Sequence, residues 1–162
     1  MFIVAEKLGR HDKTDRLSYQ RKDGSSTGTA MPRQGILPHD LVHYVVETEL
    51  GLPDGFTGLV AQGASASFAM ETTHELAGKV AGVQALQAES IVEALQSQLW
   101  NGQFRRDDFI EGVRTACQMR EAPVADVGEA GENLFAKALA LNEAWSAIPF
   151  HGKLTLEFAV SS

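Results

Sequence analysis

Hydrophobic and polar positions alternate at both ends of the chain and follow helical spacing between them. Phe2 to Leu8 is short, branched and aromatic, as a strand should be. Arg16 to Arg21 alternates and places Leu17 and Tyr19 on one face. Asp23-Gly24 then signals a tight hairpin turn, because glycine tolerates positive φ. Ser26 to Met31 reads as the return strand, with Thr27 and Thr29 suited to a half-exposed face. At the far end, Leu154, Leu156, Phe158 and Val160 point one way along Lys153–Val160, and Thr155 and Glu157 the other. A lone terminal strand needs a partner, and the other strands lie at the N-terminus. The pattern therefore predicts one antiparallel sheet that joins the two chain ends.

The middle of the chain carries helical periods. A first helix begins with Pro38 as its first residue, where a missing N–H costs nothing, and stops at Gly51 and Pro53. Gly55 to Ala61 reads as a short helix or buried turn, and residues 62–70 are small and ambiguous. A long helix is predicted from about Thr73 to Leu99, on Val80, Val83, Leu86, Val92, Leu95 and Leu99, ending at Asn101-Gly102. The next opens on Asp107-Asp108, favourable charges at a helix N-terminus, and buries Phe109, Ile110, Val113 and Cys117. The last runs from about Glu129 to Trp145, with Leu134, Ala138, Leu141 and Trp145 on one stripe. Trp100, Phe104, Trp145 and Phe150 read as packing residues at helix ends. Arg105-Arg106 reads as a surface turn neutralised by the acids after it, and Gly78 and Gly82 as a site of close helix approach. The expected fold is α+β: a small antiparallel sheet, N-terminal hairpin strands plus C-terminal strand, packed against four or five helices.

Composition narrows the class. The 162 residues are 44% apolar and 22% charged, with no repeat or dividing linker, which suits a single domain over 1–162. The net charge of −7 argues against general nucleic-acid binding, which wants a basic surface. Residues 1–35 hold seven bases and four acids, and the rest seven bases and seventeen acids, so a basic hairpin sits on an acidic body. The one cysteine, Cys117, makes no internal disulfide and sits in an apolar period, buried and inert. No run approaches the ~18 apolar residues of a membrane span, and the opening stretch is too short to be a leader, so a cytoplasmic location is expected.

Most strong motifs are missing. The chain has neither a phosphate loop nor a dinucleotide fingerprint, and Gly63-Ala-Ser65-Ala-Ser67 lacks the glycine that a nucleophile elbow needs after serine. One constellation remains. On a helical wheel with His39 at zero, His43 falls near about 40°, Glu47 near about 80° and Asp40 near about 100°. Leu41, Val42, Val45 and Val46 fill the opposite arc of roughly 200–340°. Two imidazoles and two carboxylates thus form a stripe at the border of the core face, where a cleft site would sit. Histidines at i, i+4 chelate one ion such as zinc. His39, His43 and Glu47 together on one ion is harder, because eight residues rise about 12 Å while metal–ligand bonds are about 2 Å. The workable versions use His39/His43 or His43/Glu47 plus a donor from elsewhere: His74 or Glu75 first, then His151, with His11 least suited. The same residues also have a purely structural reading, with Asp40 answering the helix dipole and His43–Glu47 forming an ordinary i, i+4 pair.

Two resemblances bear on this stretch. Leu37–Glu47 followed by Gly51–Val60 resembles a group of uncharacterised bacterial proteins in which a hairpin, this histidine helix and a C-terminal strand recur. That resemblance implies a fold and no activity. His39-Asp40-x-x-His43 is similar to the motif of a coenzyme Q biosynthesis protein family, helical proteins that bind zinc and lipid. The family pattern continues to a Gly-Glu pair, where this chain has Asp54-Gly55. Three functions are therefore expected in order. The first is a small bacterial protein acting as a homo-oligomer or through a partner. The second is a metal-dependent, hydrolase-like enzyme in which His39, His43 and Glu47 hold a divalent ion such as zinc. The third is a small-molecule or lipid pocket.

Overall fold

A computed structural model describes residues 1–67 and 80–160. Four strands, β1 (Phe2–Glu6), β2 (Thr14–Gln20), β3 (Ser26–Pro32) and β4 (Lys153–Glu157), form one antiparallel sheet in the order β3-β2-β1-β4. The chain ends meet as the alternation predicts: Ile3 pairs with Tyr19 on one side and Leu156 on the other. The amine of Met1 donates to the Phe158 carbonyl at 3.1 Å, and the Phe158 N–H returns to the Met1 carbonyl at 2.8 Å. The β2–β3 turn is the expected one. Gly24 has φ +88°, and the Asp23 carboxylate accepts the Ser25 N–H at 2.9 Å.

Five helices are found among the described residues: α1 (His39–Leu50), α2 (Phe56–Ala61), α3 (Val80–Asn101), α4 (Arg106–Met119) and α5 (Ala130–Ser146). The structure is thus the α+β arrangement, a small sheet packed on helices. The start predicted for the long helix, with His74, Glu75 and Gly78, lies outside the described residues. Pro38 stands one position earlier than expected, as the N-cap of α1: its ψ of 143° is extended, and its carbonyl takes the first helical N–H groups, those of Leu41 and Val42. Gly51 closes the helix in the left-handed region at φ +63°.

The sheet buries Ile3, Ala5, Leu17, Tyr19 and Met31 on its inner face. Against them lie Leu41, Val42, Val45 and Val46 of α1, Phe56 and Val60 of α2, and Ile91, Val92 and Leu95 of α3. Helix α1 touches α2, α3 and α5, so it is covered on several sides rather than lying on the surface. Arg21 ties the sheet to α2, its guanidinium donating to the carbonyls of Val60 and Ala64, both at 2.7 Å. Lys7 ties β1 to α5, donating to the Trp145 carbonyl at 2.8 Å. Trp145 and Cys117 are buried as expected, while Trp100 is 58% exposed, its ring standing against Gly35. Arg106 pairs with Glu129 across space instead of with its neighbours Asp107 and Asp108. No described helix is long and apolar enough to cross a membrane.

The turn from α1 into α2 is tight enough to require glycine at Gly58. A Cβ there would stand 1.9 Å from the Pro53 carbonyl oxygen, a backbone atom that cannot swing aside. Gly58→Ala should lower stability by about 1–3 kcal/mol, the usual cost of overpacking, seen as a lower urea midpoint at unchanged slope.

Candidate metal centre

Helix α1 carries the site because its period puts His39, His43 and Glu47 on successive turns of one face. The sequence places that face at the core border; the structure buries it. His43 and Glu47 are both 0% exposed, covered by α2 and α3.

Glu47 is the anchor. One carboxylate oxygen accepts the Gly58 N–H at 3.1 Å, and the other accepts the Thr57 N–H at 3.1 Å. Those amides are unpaired donors at the start of α2, so the carboxylate and the helix end satisfy each other. The approach is close: a Cβ on Gly55 would fall 2.3 Å from Glu47 Oε1. The Thr57-bonded oxygen also meets His43 Nδ1 at 3.0 Å. With Nδ1–H held by Glu47, His43 Nε2 faces Glu89 of α3 at 2.7 Å.

His39 repeats the pattern one turn earlier. Its Nδ1 lies 3.2 Å from Gln96 Oε1, and its Nε2 lies 3.4 Å from the other oxygen of Glu89. The two rings stand nearly perpendicular, 4.8 Å apart. One ligand atom from each of His39, His43 and Glu89 falls within 4.8 Å of the others, the only such group among the described residues. Glu47 is outside it, on the Nδ1 side of His43. Of the other donors weighed from sequence, His11 is exposed in the β1–β2 loop, and His151 sits at the α5–β4 turn with its N–H on the Lys7 carbonyl. His74 and Glu75 lie outside the described residues.

Glu89 escaped the sequence reading, yet it left a signal. On the α3 wheel with Val92 at zero, the buried Leu95, Leu99, Ala88, Ala85 and Leu86 span roughly −60° to 120°. Glu89 falls near about 60°, a charged residue in the middle of an apolar arc.

The electrostatics are those of a paired charge cluster. Burial disfavours the His43 imidazolium, but its hydrogen bonds to Glu47 and Glu89 overcome that and raise its pKa to about 10. Burial likewise opposes the charge on Glu89, and the hydrogen bonds of His39 and His43 outweigh it, holding the carboxyl well below the usual range. Burial pushes the Asp40 carboxyl up, against the two histidines. Beneath them the Tyr19 hydroxyl is buried with no hydrogen-bond partner among the described residues; burial, then the charges of Asp40 and Glu47, raise its pKa. In front of His39, Asp40 and Glu89 opens a cavity of about 440 Å³, walled by Met31, Pro32, Phe56 and Ala66.

Chemically, two imidazole Nε2 atoms and a carboxylate converge beside a cavity, with each Nδ1 held by an acceptor. That is a ligand set for zinc or iron(II), complete with the outer hydrogen bonds that fix ring orientation.

Glu47→Gln should cost about 3–5 kcal/mol, because it leaves a buried imidazolium and two helix N–H groups facing a neutral amide. His39→Ala, at a partly exposed position, should cost under about 1 kcal/mol; urea unfolding of both separates the anchor from the rim.

No family model, curated protein or solved structure matches this chain.

Proposed function

We propose that this chain is a divalent-metal-dependent hydrolase. His39 and His43 through Nε2, and Glu89 through its carboxylate, are the protein ligands. The observation that carries the reading is the convergence of both Nε2 atoms on Glu89 while Gln96 and Glu47 occupy both Nδ1 atoms. Three protein ligands beside a cavity would match the ligand count of catalytic rather than structural zinc. Held by these residues, a divalent ion would supply Lewis acidity and a bound water of lowered pKa. Asp40, beside His39 on the cavity wall, is the carboxylate that would serve as general base there. Glu47 is a positioning residue that acts through His43.

A second reading, assembly with another copy or a partner, is favoured by the half-exposed rings of Trp100 and Phe150 and the exposed Met119. Sedimentation should then show a concentration-dependent shift that Trp100→Ser reduces; a strict monomer ends it.

The metal reading is tested by calorimetric titration of chelator-treated protein with zinc, manganese and iron(II). One ion per chain is expected. His39→Ala and Glu89→Gln should weaken binding at least about 100-fold, and Gln96→Ala about 10–100-fold, as outer partners do. Absence of uptake, or uptake indifferent to Glu89, overturns it.

A further inference from the structure

The cavity in front of the cluster also bears on substrate class, an inference that rests on the metal reading above. Two of its wall residues are carboxylates, Asp40 and Glu89, and a third carboxylate, Glu47, lies one ring behind them against His43. One divalent ion would offset only two of these three carboxylate charges, so the walls would stay acidic with the ion bound. The remaining walls are apolar, from Met31, Pro32, Phe56 and Ala66, with hydroxyls only from Thr29 and Ser67. Among the described residues no lysine or arginine lines the cavity. An anionic substrate reaching the ion would therefore meet like charge, with no counter-ion among the described residues to receive it, in a partly desolvated space where such repulsion is strong. Phosphate and carboxylate recognition uses arginine or lysine for this reason.

We infer that the site takes a small uncharged or amine-bearing substrate and excludes anions. The volume of about 440 Å³ suits a small molecule better than a polymer segment.

The test uses the cobalt(II)-loaded chain and three hydroxamates that share one metal-binding group. Butyrohydroxamate has an uncharged tail, β-alanine hydroxamate a cationic one, and succinic monohydroxamate an anionic one. Each is titrated by the visible bands of the bound cobalt. The cationic and uncharged probes should bind at least about tenfold more tightly than the anionic one. Asp40→Asn should narrow that gap at least threefold, by about the effect of removing one nearby charge. Equal or tighter binding of the succinic probe overturns the inference and leaves the metal site standing. Failure to take up cobalt overturns the metal reading and this one with it. A gap unchanged in Asp40→Asn overturns the role given to the carboxylate wall.

Discussion

One buried carboxylate organises this molecule. Glu47 is fully enclosed, and an enclosed charge is costly unless its lone pairs are all engaged. Here three hydrogen bonds engage it, two from amides in the first turn of α2 and one from His43. The fit needs Gly55 and Gly58, since a side chain at either would occupy the space of the carboxylate or of Pro53. The tight entry into α2, the burial of the α1 face and the orientation of His43 are therefore consequences of one contact. Because Glu47 holds Nδ1, Nε2 has one direction left, toward α3 and Glu89.

The parts of the fold legible in the sequence are those fixed by local chemistry. The Asp23-Gly24 turn, the stop at Gly51, and the alternation of Leu17 with Tyr19 and of Leu154 with Leu156 each depend on a few neighbouring residues, and each is found in place. Joining the two ends in one sheet needed only the argument that a terminal strand must pair. The exposure of Trp100 was not legible in this way. A tryptophan at a helix end packs or protrudes according to what lies across from it, and across from it lies Gly35, too small to cover an indole.

The site was half legible for the same reason. Its α1 members follow from helical spacing, which puts His39, His43 and Glu47 on one stripe whatever surrounds them. Which of them share a centre depends on the neighbour, and the neighbour is α3. Spacing alone makes His43–Glu47 as good a chelating pair as His39–His43. The structure separates the two options: Glu47 is on the inner nitrogen of His43, held by α2, and Glu89 is on the outer nitrogens of both rings. The remaining clue, an acid within the apolar arc of α3, gains meaning only once that arc is known to face α1.

Energetics argue that the cluster is kept for something other than stability. A buried pair of charges seldom outperforms apolar residues of the same volume, because desolvation consumes most of the attraction. Leucine-like side chains at His43 and Glu47 would extend the neighbouring core of Leu41, Val42, Val45 and Val46 without change of pattern. They would not, however, satisfy the first amides of α2, so Glu47 has a structural use of its own. His43, His39 and Glu89 have none of that kind: they satisfy one another beside a cavity. Charged groups that are mutually satisfied, ring-oriented from behind and opened to a cavity on one side are expensive as architecture, and the expense is accounted for if a divalent ion takes the place of the proton between them.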